Sequence, residues 1–256
     1  MRNHENRKVN KQVSKKVVLI MVFIVLIILF AIFEILSSIL LEEKGTSSAK
    51  IELKSFENID ISVAAADFKI IYGNDYNIDY KFHTREIIKD LIVENNTLIL
   101  KTKFSRKFSV DTTKKYINIT IPKNKHLNDI KINNVSGNIS LENLTFNNGV
   151  ISTVSSDINA KNINCKNLAV KSVSNSINVS NSIILNSGEF VTTSGNILLN
   201  VDFKNITAKT FKGIYFNNNL VGNNFSYTFD NNKSTSIANI TAASLSGKIK
   251  INSELN

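Results

Sequence analysis

Two patterns of apolar residues divide this chain. From Val17 to Phe33 the residues are apolar without a break, and beyond Glu34 the stretch resumes with Ile35, Leu36, Ile39, Leu40 and Leu41. Read as one helix, residues 17–41 rise roughly 37 Å, enough to cross a hydrocarbon layer of about 30 Å. From about residue 51 the pattern becomes short alternating runs, among them Ile59-Asp-Ile-Ser-Val63, Phe68-Lys-Ile-Ile-Tyr72, Thr97-Leu-Ile-Leu100 and Tyr116-Ile-Asn-Ile-Thr-Ile121. Alternation with β-branched residues predicts strands with one buried face. Only Glu86 to Leu91 reads as a helical turn, so the second region is expected to be nearly all β.

Between 135 and 213 the alternation acquires a long period. Val135-Ser-Gly-Asn-Ile139, Val154-Ser-Ser-Asp-Ile158, Val173-Ser-Asn-Ser-Ile177 and Thr193-Ser-Gly-Asn-Ile197 recur at spacings of 19, 19 and 20 residues, and Phe211 follows 18 residues later. A fixed period of this length predicts a parallel β-helix of about 19 residues per coil, in which like residues stack. The expected columns are Ile139, Ile158, Ile177 and Ile197; Leu141, Ala160, Val179 and Leu199; Ile151, Val170, Phe190 and Ala208; and Val154, Val173, Thr193 and Phe211. Gly137, Ser156, Asn175 and Gly195 fall where the chain must turn a corner. Asn is abundant throughout. Stacked amide ladders are one explanation, but the composition of an AT-rich coding sequence accounts for it more simply. The repeat blurs after 215, with loops expected at 217–219 and 223–224 and a strand at 227–229. Leu245-Ser-Gly-Lys-Ile249 restores the motif in a final coil expected to cap the solenoid.

Charge adds a direction to the first region. Arg2, Arg7, Lys8, Lys11, Lys15 and Lys16 precede the apolar stretch against Glu5 alone, which by the positive-inside rule predicts a cytoplasmic N-terminus and an exported C-terminal part. A cleaved secretory signal would carry a shorter apolar core and a nearby small-x-small site. The expected organisation is therefore a basic cytoplasmic tail (1–16), a transmembrane signal anchor (17–41), a linker (42–50) and an extracytoplasmic β-solenoid domain (51–256). That organisation is the one expected of a single-pass protein of the cell membrane.

The net charge of +10 is concentrated a second time. Lys101, Lys103, Arg106, Lys107, Lys114 and Lys115 lie close together, with Lys123 and Lys125 beyond, against Asp111 alone. On an exported domain such a stretch is a candidate contact for anionic envelope polymers or phospholipid headgroups. Nucleic acid is not an expected partner on that side of the membrane.

Catalytic chemistry finds little to use. The single cysteine, Cys165, falls in the interior column with Phe146 and Phe203, which predicts an inert thiol. His4, His83 and His126 are far apart and have no metal-ligand spacing. The acids Glu142, Asp157, Glu189 and Asp202 occupy different repeat positions, so they do not stack into the carboxylate pair of a glycosidase. Neither an enzyme nor a cofactor or metal is expected.

The segments IDISVAAADFKIIYG and YINITIPKNKHLNDIKINNVSGNISL, with the recurring VSGNI and TSGNI units, resemble the bacterial "putative adhesin" family of β-strand-repeat envelope proteins, a family of unknown function. The resemblance covers about 51–256. It implies a right-handed β-helix tethered to a membrane and contributes no catalytic residues. Ser156 and Asn175 depart from the Gly that the family pattern favours at those corners. The expected function is non-enzymatic: the exported β-helix binds or scaffolds envelope components in an adhesin-like way. The alternative is a regulatory or sensory partner in envelope-stress signalling, docking another membrane protein. A polysaccharide-acting enzyme is the least supported reading.

Overall fold

Alternation carries through to the structure. The computed structural model describes residues 46–83, 87–103, 114–228 and 238–252, and all regular structure in them is strand. The tail 1–16 and the apolar stretch 17–41 lie outside the described residues. The strands are β1 (Thr46–Glu52), β2 (Asn58–Ala65), β3 (Asp67–Gly73), β4 (Asn77–His83), β5 (Ile87–Glu94), β6 (Thr97–Lys103), β7 (Tyr116–Pro122), β8 (Leu127–Ser136) and β9 (Ile139–Glu142). They continue with β10 (Thr145–Ser155), β11 (Ile158–Lys161), β12 (Asn164–Ser174), β13 (Ile177–Thr192), β14 (Ile197–Asp202), β15 (Asn205–Phe216), β16 (Asn219–Thr228), β17 (Asn239–Ser244) and β18 (Ile249–Asn252). Two expectations change at once. β1 occupies the second half of the 42–50 stretch read as linker, pairing antiparallel with β4 from Thr46↔His83 to Glu52↔Asn77. The helical turn at 86–91 is strand β5, because Leu91 to Glu94 pair in antiparallel register with Leu100 to Thr97. That partner is not visible in a local reading.

The strands wind into a parallel solenoid with two faces. One face runs β6, β2, β8, β10, β12, β13, β17, β15, and the other β7, β3, β9, β11, β13, β14, β18, β15. β12 follows β10 one coil later, with Thr145↔Asn164 and Ile151↔Val170 in register. The Ile139, Ile158, Ile177, Ile197 column forms as expected, extended by Phe68 at one end and Ile249 at the other, and all six are buried. Burying an Ile side chain contributes about 1.5–3 kcal/mol, and in-register stacking obtains this from every coil without a new packing arrangement.

Coil order departs from chain order at both ends. β17 inserts between β13 and β15, so Phe190 faces Ala242 rather than Ala208. The last coil is therefore interior and does not cap the solenoid. β2 and β3 likewise sit between β6–β7 and β8–β9. Antiparallel strands close the two ends: β1, β4 and β5 at one, β16 at the other. The loops expected near 217–219 and 223–224 are in fact one tight turn, with Asn217 and Asn218 at φ 46° and 68°, leading into a single strand through Asn223 and Asn224.

The fourth expected column points outward. While Val63 holds this place on β2, the buried position before the corner is polar in six coils, as Asn134, Thr153, Ser172, Thr192, Ser244 and Thr210. These side chains hold the corner backbone, as when Thr192 Oγ1 accepts from Gly195 N at 3.1 Å and Ser244 Oγ donates to Gly195 O at 2.9 Å. Because side chains alternate, a hydroxyl turned inward sends the next residue, Val154 or Val173, into solvent. The expected corners form, with differing backbones: Gly137 and Asn175 take φ of 98° and 77°. Ser156 is buried, and its hydroxyl meets that of Thr153 at 2.6 Å.

Composition does not account for the asparagines. Asn162 Nδ2 donates to Asn143 Oδ1 at 2.8 Å, Asn148 to Asp129 and Asn167 to Asn148 each at 2.8 Å, and Asn147 to Asn128 at 3.0 Å. Asn143, Asn162 and Asn181 also adopt φ of 56°, 53° and 49°, the left-handed conformation that Asn tolerates best among residues with a Cβ. The amide ladders are therefore a structural device, each rung joining successive coils.

Candidate binding surface at the solenoid corner

The two faces meet at the corner that follows β2, β8, β10, β12 and β13. In most coils the turn is short, as with Ser156 and Asp157 between β10 and β11. β6 ends at Lys103 and β7 begins at Tyr116, with Lys114 and Lys115 described just before it. Lys101 lies exposed on β6 beside Ser62 and Asp90. Lys103 ends that strand. Lys114 re-enters on the other side of the corner, with its Nζ 3.5 Å from Asp67 and its side chain 81% exposed. Lys115 accepts a backbone hydrogen bond from Asp67 N at 3.0 Å. The structure thus brings the two ends of the basic stretch to one corner, flanking 64–67. Arg106 and Lys107 lie outside the described residues.

Along the same corner runs an apolar ridge. Val135, Val154, Val173, Leu245 and Phe211 are 47–71% exposed. They follow one another coil by coil, with Thr193 between Val173 and Leu245. Serines beside them tie the coils together: Ser174 Oγ donates to Val154 O at 3.1 Å and Ser194 Oγ to Val173 O at 3.3 Å. Sequence patterning placed Val154, Val173, Thr193 and Phe211 in one column, without Val135 and Leu245, and grouped it with the columns that are buried. The available signal was the polar column one position earlier, which has the same period.

The candidates for chemistry are dispersed. Ser140 Oγ, donating at 2.9 Å, and the Lys69 ammonium at 3.3 Å hold Glu142 below the usual carboxylate range, the reverse of what a general acid requires. Glu189 pairs with Lys171 at 3.0 Å, and Asp157 accepts from Ser176 N at 2.9 Å. Among the described residues no three His, Cys, Asp or Glu converge on a metal position. Cys165 is buried between Phe146 and Ile184, where desolvation pushes its thiol up to about 12. The thiolate fraction at pH 8 is then on the order of 10⁻⁴. Iodoacetamide at pH 8 is expected to leave the folded protein unmodified and to label Cys165 rapidly in guanidinium. Rapid labelling without denaturant would contradict the buried position.

A parallel strand solenoid with an apolar, partly basic corner and dispersed acids belongs to the class of all-β repeat proteins in which shape and surface recur from coil to coil. The chain belongs to the DUF4097 Toastrack family, whose model matches residues 56–254. Three solved structures are similar to it. A putative adhesin from Bacteroides fragilis is 16% identical, covering 82% of this chain and 98% of that one at a TM-score of 0.45. A putative cell adhesion protein from Clostridium sporogenes is 15% identical, covering 82% and 99% at 0.41. A putative lipid binding protein from Parabacteroides distasonis is 16% identical, covering 82% and 97% at 0.38. No curated protein matches the chain.

Proposed function

We propose that the chain is a non-enzymatic, single-pass membrane protein of the cell envelope whose exported solenoid binds or scaffolds anionic envelope components through its corner. Residues 17–41 act as the signal anchor, with the N-terminus in the cytoplasm. The coils wind right-handed, the hand of nearly all parallel crossovers.

One observation supports this reading: an exposed apolar ridge runs along a corner that Lys101 and Lys114 flank at one end. Lysines near a surface of anionic headgroups contribute on the order of 1 kcal/mol each, and apolar side chains beside them add burial once in contact. The test is flotation of the full chain in proteoliposomes of neutral lipid with soluble anionic polymer, or with added anionic vesicles. Replacing Lys101, Lys103, Arg106 and Lys107 by Gln is expected to weaken retention tenfold or more, with a loss that fades as salt rises. Unchanged retention dismisses the anionic contact. The ridge would then stand as a docking surface for another membrane protein, the second reading, which Val135, Val154 and Val173 favour because they are apolar, exposed and regularly spaced.

A further inference from the structure

Around the corner from the apolar ridge, a trough runs along the solenoid axis where β11, β13, β14 and β18 begin. One wall is the row Asp157, Ser176, Asn196 and Lys248, stacked because Ile158 N donates to Ser176 O, Ile177 N to Asn196 O and Ile197 N to Lys248 O, each at 2.9 Å. The other wall lies two positions further along each strand: Asn159, Asn178, Leu198, Lys250 and Tyr215, held level by the strand register. Ile177 and Ile197 line the floor with their backbones, their side chains being buried in the core. Adjoining stretches of about 400 and 480 Å³ share Asn196 and Leu198, so the trough is continuous. With strands about 4.8 Å apart, the five levels from Asn159 to Tyr215 span about 19 Å.

The walls are rigid and carry polar atoms to spare. Asp157 Oδ1 accepts from Ser176 N and Asn196 Oδ1 from Lys248 N, each at 2.9 Å, which pins both side chains. Asn159 is pinned in turn, its Oδ1 accepting from Asn178 Nδ2 at 3.3 Å. Among the described residues Asp157 Oδ2, Asn196 Nδ2 and Asn159 Nδ2 then have no partner, leaving one fixed acceptor and two fixed donors. Sugar hydroxyls, which both donate and accept, suit that mixture. The amide row breaks at Leu198, which leaves Asn178 Oδ1 buried without a partner, a cost that another asparagine would have avoided. The leucine gives the middle of the trough an apolar patch. At the far end Lys248 and Lys250 are exposed, no acid lines that half, and neither ammonium is ion-paired among the described residues. Lys248 Nζ lies 5.9 Å over the Tyr215 ring, a cation–π contact that steadies it.

We infer that this trough binds a linear acidic glycan laid along the solenoid axis. An acidic group of the glycan meets Lys248 and Lys250, the apolar face of a sugar ring rests on Leu198, and hydroxyls engage Asn196, Asn159 and Asp157. The step of a pyranose chain along its axis is close to the spacing of the coils, so successive rings meet successive levels. An acyl chain has no use for fixed amides, and a polymer without rings has no flat face to set on Leu198. The site goes beyond the corner contact proposed above: it lies on the other face, toward the opposite end from Lys101 and Lys114, and needs neither of them.

The test is calorimetric titration of the full chain in detergent micelles with three linear hexasaccharides, bearing carboxylate, sulfate or phosphate groups. A neutral hexasaccharide and a hexaglutamate peptide are the controls. At least one acidic hexasaccharide is expected to bind with a Kd below about 1 mM, and about tenfold or more tighter than either control or its own disaccharide. Lys248→Gln combined with Lys250→Gln is expected to weaken that binding about tenfold or more. Leu198→Asn, which continues the amide row, is expected to weaken it several-fold. Neither change should alter the circular dichroism, since these side chains lie outside the core. Replacing Lys101, Lys103, Arg106 and Lys107 by Gln is expected to leave it unchanged, so this site and the corner contact fail separately. A Kd above about 1 mM for all three glycans, equal binding of hexaglutamate, indifference to the trough substitutions, or loss only with the Lys101 to Lys107 set would overturn the inference.

Discussion

Gly195→Val is expected to cost at least about 4 kcal/mol and to leave the solenoid largely unfolded at room temperature. A Cβ at Gly195 would stand 1.6 Å from the carbonyl oxygen of Asn175 in the preceding coil. That oxygen is backbone, so it cannot swing aside as a long side chain would. Asn175 is itself held at φ 77°. Relief would require the coils to separate at the corner, and several hydrogen bonds would go with the contact, including Gly195 N to Thr192 Oγ1 and Ser244 Oγ to Gly195 O. The strain would pass onward, because a Cβ at Gly247 would in turn stand 1.7 Å from Gly195 O. Thr193→Ala, two residues away and exposed, is expected to change stability by less than about 0.5 kcal/mol. Thermal unfolding followed by circular dichroism compares the two. A Gly195→Val protein melting within a few degrees of the parent would mean that the coils do not approach so closely.

Phe190→Ala is expected to cost about 3–5 kcal/mol. The ring is fully buried, in register between Val170 and Ala242. Its surroundings explain why the loss falls at the upper end. Ala242 and Gly188 are small, and a Cβ at Gly188 would lie 2.9 Å from the Phe190 ring, so the aromatic fills space that its neighbours leave open. Truncation leaves a cavity bordered by Ile184 and Ile240, whose backbones are fixed in a rigid stack of hydrogen-bonded coils and which can therefore collapse into it only in part. Phe190→Leu retains most of the volume and is expected to cost less than half as much. Midpoints in guanidinium, with unchanged slopes, would separate these two outcomes. Equal costs for Ala and Leu would indicate that shape rather than volume governs the site.

The Ile139, Ile158, Ile177 and Ile197 column was readable because two independent periods agree there, alternation within a strand and 19 residues between coils. The Val154 and Val173 column carried the same periods and was assigned to the wrong side. Near a corner, alternation fixes only that neighbours face opposite ways. Whether Thr153 or Val154 turns inward depends on which of them satisfies the corner backbone, and a buried unsatisfied carbonyl or amide costs more than an exposed valine. The asparagine ladders were hidden for a related reason. Abundance says nothing about whether amides from different coils are level, and levelness is a property of the register.

The basic stretch divided in the same way. Its charge was evident at once, but the placing of Lys101 and Lys114 on either side of one corner required the pairing of β6 with β2 and of β7 with β3. Those pairings join residues 39 and 49 positions apart and admit a coil that is out of chain order. From its sequence alone this protein is determined to be all-β, to coil with a 19-residue step and to carry an apolar, basic-flanked N-terminal segment, because each of these is a local or strictly periodic property of the chain. Tertiary structure alone decided which strands become neighbours at the two ends and which valines face water, because each rests on competition between distant strands for the same hydrogen-bonding groups.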